Sequence, residues 1–185
     1  RNSITADVVV VAMIICYSSG LWIKSVNVKT ADISSDCREF NYEGTTYKVC
    51  DKGVPYLKLY CQQDYVITNG NKPLYKNDSE YLMKYLVKQS EVKAKLNKVY
   101  PSNYLNHKLQ ILNDRYHSIY PDLGRNIKFT PESLYLSGYL NKALSVLPPD
   151  ANFNDWRGYI YKNPIKNYSV SEIITLKNLY LSQTI

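Results

Sequence analysis

Residues 8–23, VVVVAMIICYSSGLWI, carry no charged side chain, and Asp7 and Lys24 close the stretch on either side. Sixteen such residues in a row have to be kept from water by something, and that demand restricts the fold more than any other feature of the chain. At ~1.5 Å per residue a helix of this length is about 24 Å long, and with residues 4–6 it approaches the ~30 Å of a hydrocarbon core. The leading expectation is a membrane anchor over residues 1–23, held by Val8, Val11, Ile15, Leu21 and Trp22. Three readings compete with it. The stretch also suits a fully buried helix of a bundle, a secretory signal cut after Ser18-Ser19-Gly20, or a buried strand, since valine runs favour strands. A parallel sheet would need further strand and helix alternations, which the rest of the chain lacks.

Setting the anchor aside leaves about 160 of the 185 residues, enough for one domain with a real core. Residues 24–35, rich in Lys, Asp, Ser and Thr, read as a tether, and 36–185 as a single α+β domain. The net charge of +7 favours acidic partners without choosing among nucleic acid, anionic lipid and anionic glycan. Its steepest local excess is seven lysines between Lys72 and Lys98, against Asp78, Glu80 and Glu91, which reads as a solvated helix face. Nineteen tyrosines against three phenylalanines suggest half-buried, wet aromatic surface, used at interfaces or in the outer core.

The best local signal is CREFNYEGTTYKVC, residues 37–50. A turn at Glu43-Gly44 puts glycine where a positive φ is needed and sets the register of both flanks. Tyr42 then faces Thr45, Phe40 faces Tyr47, Glu39 faces Lys48 and Cys37 faces Cys50. The cysteines fall on a non-hydrogen-bonded pair, with Cα atoms about 4.5 Å apart, which a disulfide accepts. A Cys37–Cys50 disulfide is therefore expected, with Cys50–Cys61 as its rival and Cys16 packed as a small apolar residue. Two further strand-like runs, 56–61 and 65–68, precede the turn signal Asn69-Gly70, so a small antiparallel sheet is expected.

Helical periodicity then takes over. Leu82, Tyr85, Val92, Leu96 and Val99 define one face of a helix over 77–99, opposite a stripe of Lys84, Lys88, Glu91, Lys95 and Lys98. Leu105, Leu109, Leu112, Tyr116 and Ile119 define a second helix, which Pro121 stops. Thr130-Pro131-Glu132 starts a third, with Leu136, Leu140, Ala143, Leu144 and Leu147 buried. Residues 150–168 read as loop, and Ser169 with Glu172 makes a capping box for a fourth, carrying Ile173, Leu176 and Tyr180. The expected architecture is α+β: an N-terminal apolar helix, a small antiparallel sheet with hairpin 37–50, and a four-helix C-terminal body.

Signals for chemistry are sparse. No CxxC, HExxH, GxSxG or glycine-rich phosphate loop occurs. His107, Asp114 and His117 lie close in sequence, but the two imidazoles project roughly 80° apart on a helix, so no metal and no cofactor are expected. Glu132, Asp150 and Asp155 would suit glycan hydrolysis if they converged with Trp156 in a cleft, although such sets arise by chance in a chain with sixteen acids. Asn77-Asp78-Ser79 and Asn167-Tyr168-Ser169 are glycosylation sequons. The functional expectation is a non-enzymatic structural or adhesive subunit of a membrane-associated or filamentous envelope assembly. Its domain would sit on the extracytoplasmic side, with other protein subunits and lipid as partners. An extracytoplasmic glycan hydrolase is the enzymatic alternative. A soluble basic nucleic-acid binder is the other, disfavoured by the scarcity of arginine and by the apolar head.

Overall fold

The computed structural model describes residues 8–21, 27–67, 72–84, 86–89, 102–119, 130–165 and 167–182. Helix α1 (Val8–Ser19) is the centre of the molecule rather than an appendage. Val8 is 1 % exposed and Val11 and Ile15 are fully buried, as are Ala12 and Cys16. A helix that is apolar all round has no face to give to water, so neighbours have to surround it. Here they are α2 (Val54–Gln62), strand β2 (Thr45–Lys48), α3 (Ser102–Ile119) and above all α4 (Pro131–Val146). This packing overrides the weak helix propensity of the valine run. Gly20, at φ +63°, ends α1, its N–H donating to Cys16 O at 2.9 Å.

The expected membrane anchor is thereby overturned. Val8, Val11 and Ile15 are covered by the chain's own side chains, and Leu21 packs half-buried on the same core. Trp22 lies outside the described residues. At twelve residues α1 spans about 18 Å, and no helix among the described residues is long and apolar enough to cross a membrane. The extracytoplasmic address, which rested on that anchor, loses its support. Hydrophobicity called for exclusion from water; the excluding medium is protein.

Of the expected tether, residues 27–35 are stitched into the fold. Leu82 N donates to Val28 O, Thr30 N to Glu80 O, and Ile33 bridges Phe40. Strands β1 (Glu39–Tyr42) and β2 then pair antiparallel in the expected register, Glu39 opposite Lys48 and Phe40 opposite Tyr47. Both turn residues, Glu43 and Gly44, have positive φ, as a type I′ turn requires. The Phe40 and Tyr47 rings stack at 5.3 Å.

Two expectations about residues 54–99 fail. Residues 56–61, expected as a strand, belong to α2, where Pro55 sits in the first turn and Val54, Leu57 and Tyr60 recur every three residues on the buried side. The expected helix over 77–99 does not form in its described part. The Asn77 side-chain oxygen accepts from Ser79 N and the Ser79 hydroxyl from Tyr81 N, local turns that compete with a helix. Strand β5 (Leu86–Val87) follows, joining β3 (Tyr65–Ile67) and β4 (Pro73–Lys76) in an antiparallel sheet ordered β3-β4-β5. The turn signal Asn69-Gly70 and residues 90–101 lie outside the described residues.

Among the described residues the C-terminal body holds four helices, α3, α4, α5 (Phe153–Lys162) and α6 (Val170–Ser182), with α5 in place of the one expected over 77–99. Helix α5 occupies a stretch expected as loop. Asn152 and Asp155 form a reciprocal capping box there, which outweighs the turn-like Asn and Gly content, and Trp156 and Tyr159 are buried one turn apart. Ser169 and Glu172 cap α6 as expected, the hydrogen bonds from Ser169 holding the Glu172 carboxyl below its usual range.

Helix α4 is shared by two cores. One side meets α1; the other, with Tyr139, Leu140 and Ala143, packs on Trp156, Tyr159 and Ile173. Several tyrosines thus serve in the interior: Tyr139 donates its hydroxyl to Asn163 O and meets the Tyr159 ring edge-on at 5.7 Å. Against α1 the backbones nearly touch, since a Cβ on Gly138 would lie 2.1 Å from Tyr17 O. Gly138→Ala should therefore cost about 2 kcal/mol in urea denaturation, the clash outweighing alanine's helix preference of ~1 kcal/mol. Gly158→Ala on α5, where a Cβ meets nothing within 4 Å, should be neutral or stabilising by up to about 1 kcal/mol. Equal effects at the two sites would contradict the α1–α4 contact.

Candidate functional site

Where α2 ends against β4, the chain encloses a half-open cavity of about 480 Å³. Helix α2 contributes Tyr60 and Cys61, and Asp64 follows it; β4 contributes Tyr75 and Lys76, and the turns after β4 contribute Asn77, Asp78, Leu82 and Lys84. Thr30 completes the wall. The tight turns at 77–81 put Asn77 and Lys84 on the same cavity as Lys76, although eight residues separate the two lysines.

Lys76 ends β4 half-buried, and its ammonium donates to Tyr60 O at 2.6 Å and stands 4.8 Å from the centre of the Tyr60 ring. Burial lowers its pKa, and the neighbouring Lys84 lowers it further. Tyr60 is 1 % exposed and its hydroxyl accepts from Lys84 N at 3.3 Å, so one ring braces both lysines. Asn77 is 2 % exposed; its oxygen is spent on Ser79 N, whereas its Nδ2 has no hydrogen-bond partner among the described residues. Buried amides are rarely left so. Neither Lys76 nor Lys84 joins a salt bridge among the described residues, the nearby ion pair being Lys29–Glu80. Asp64 and Asp78 are exposed at the rim.

Cys61 lines the same cavity and stands within hydrogen-bonding reach of the Cys37 thiol. Burial first, and then Cys37, pushes its pKa up to about 11, so at neutral pH it is almost wholly the protonated thiol. All four cysteines are free thiols in the structure. Cys37 leaves the hairpin ladder after Arg38 by adopting φ +58°, and its neighbour is Cys61, whereas the Cys50 sulfur packs on the turn at Gly53. Cys16 is buried in α1 with its pKa up to about 12.

Of the other expected site residues, Glu132 and Asp155 are not brought together. Glu132, in the first turn of α4, accepts from the Tyr168 hydroxyl, while Asp155 caps α5 beside Val146 at the far end of α4. Fourteen residues of helix separate Glu132 from Val146, about 21 Å, well beyond the ~9.5 Å limit for two carboxyls acting on one glycosidic bond. His107 is exposed, the His117 side chain lies outside the described residues, and no metal-ligating cluster occurs among those described. The lysine stripe also dissolves: Lys84 faces the cavity, Lys88 is exposed, and Lys95 and Lys98 lie outside the described residues. Comparison with family models, curated proteins and solved structures finds no match.

The cavity is therefore lined by two lysines and a buried amide, with Asp64 and Asp78 exposed at its rim. Such a set suits an acceptor-rich guest. Sequence reasoning missed it because Asn77 resembled a helix cap or a sequon and Lys84 a solvated stripe. Buried as it is, Asn77 cannot present a glycan from the folded surface. The lowered pKa of Lys76 carries a pH signature. Its charged form is worse tolerated folded than unfolded, so its penalty is full below the folded pKa and fades as pH rises through it toward the ordinary 10.5. Relative to Lys76→Met, the wild-type protein should thus gain stability in urea midpoints as pH rises through the lowered Lys76 pKa toward 10.5. A constant gap would mean that Lys76 is not desolvated.

Proposed function

We propose that the protein is a non-enzymatic binding subunit that holds a small anionic group, a carboxylate or a phosphate ester, in the cavity between α2 and β4. The observation that carries this reading is the Asn77 Nδ2, buried without a partner among the described residues beside two lysines that make no salt bridge there. An anion there would satisfy the amide, relieve the repulsion between Lys76 and Lys84, and raise the Lys76 pKa toward its ordinary value. The separation of the acids, together with the raised Cys61 pKa, favours binding over catalysis. The group would be presented by a partner subunit or by a small molecule.

Titration with inorganic phosphate and with acetate, against sodium chloride at matched ionic strength, tests this. At tenfold over Kd either anion should add about 1.4 kcal/mol of stability. The gain should vanish in Lys76→Met and Asn77→Leu, and acetate binding should weaken as pH rises through the Lys76 pKa. A gain no larger than that from chloride would refute the proposal.

A second reading, a structural or adhesive subunit that associates with copies of itself, is favoured by the outer face of α5. Phe153, Arg157 and Tyr161 recur every four residues there, with Tyr161 89 % and Phe153 51 % exposed. It predicts concentration-dependent self-association by light scattering that Tyr161→Glu abolishes. A monomer at all concentrations would exclude it.

A further inference from the structure

The chain contains a pair of thiols in contact that hairpin geometry alone would not select. Cys61, at the end of α2, is half-buried and open to solvent through the cavity, and Cys37, 5 % exposed, stands against it. The two elements they join are otherwise held by packing: Cys37 precedes β1, and α2 follows the hairpin by way of the turn at 50–53. The strained φ of +58° at Cys37 is what brings this about, because it takes the residue off the ladder one position short of Cys50. The Cys50 sulfur packs instead in its own turn, where a Cβ on Gly53 would lie 2.9 Å from it and 2.8 Å from Ile14 of α1.

We infer that Cys37 and Cys61 form the oxidisable pair of this protein, closing a disulfide by thiol–disulfide exchange with a small disulfide such as oxidised glutathione. The Cys61 sulfur, the one reachable from solvent, gives up its proton and attacks the S–S bond, releasing one glutathione thiol and leaving a mixed disulfide. The Cys37 sulfur then gives up its proton and attacks the Cys61 sulfur, releasing the second glutathione. Two protein thiols are oxidised and one disulfide is reduced. The hydrogen-bonding proximity of the two thiols gives the second step a large effective concentration. Cys16, enclosed in α1, stays reduced.

Trypsin places each cysteine in its own peptide: Cys16 in 2–24, Cys37 in 30–38, Cys50 in 49–52 and Cys61 in 59–76, the cut at Lys72 being blocked by Pro73. The full chain, incubated natively with oxidised glutathione, alkylated and mapped by mass spectrometry, should yield 30–38 joined to 59–76. That bond should persist in Cys50→Ser and disappear in Cys61→Ser. Its rate of formation should rise about tenfold per pH unit from 7 to 9, as expected of an attacking thiol that is mostly protonated there. Linkage of 30–38 to 49–52, linkage of 49–52 to 59–76, or full alkylation of all four cysteines would overturn the assignment.

Discussion

The close crossing of α1 and α4 is the contact on which the rest of the structure depends. Gly138 admits the Tyr17 carbonyl against its backbone, and Gly20, turning with positive φ, lies against Tyr139. The two helices therefore approach backbone to backbone at the C-terminal end of α1, whose apolar residues are buried. Each fully buried side chain such as Val11 or Ile15 is worth roughly 1.5–3 kcal/mol, so this one helix supplies a large share of the driving force. Because the other side of α4 carries the second core, around Trp156 and Ile173, α4 transmits that stability to the C-terminal helices.

The cavity inherits its shape from the same arrangement. Helix α2 rests on α1 through the core containing Leu57 and Tyr60, and its last turn fixes where the Tyr60 carbonyl and ring stand. Lys76 is held by both, and β4 is held in turn by its pairing with β3 and β5. The lysine is thus a charged group positioned by neutral partners. Its ammonium is partly withdrawn from water, faces a second ammonium, and has a hydrogen bond to a carbonyl; Asp64 attracts it from the rim, but it makes no salt bridge among the described residues. A fold selected for stability alone would hardly retain that arrangement together with a buried amide lacking an acceptor. The same withdrawal from water acts on Cys61, whose thiol is kept protonated by burial and by Cys37 despite two lysines nearby.

What was legible in the sequence follows how local the deciding interactions are. The hairpin register could be read because a turn at Glu43-Gly44 sets every pair from Tyr42–Thr45 to Glu39–Lys48 by counting alone. The caps at Thr130 and Ser169 could be read for the same reason. Helix α1 was visible as a segment that must avoid water, yet nothing in its own residues distinguishes lipid from protein as the surrounding medium; Gly138, far along the chain, decides that. Residues 54–62 and 77–87 misled because their apolar spacing fits two periods, and the tie is broken by Pro55 in one case and by Asn77 and Ser79 turning on themselves in the other. The cavity was illegible since Lys76, Asn77 and Lys84 look like ordinary surface residues until α2 is folded over them.

The measurement that bears most directly on this account is native-state hydrogen exchange of the α1 amides in aqueous buffer without detergent. If α1 is the interior of its own domain, the amides of residues 11–16 exchange only through global unfolding, with protection matching the full unfolding free energy and rising in parallel with it. Rapid exchange of those amides, with protection appearing only after detergent or lipid is added, would mean that α1 is covered by something other than this chain, and the account would fail.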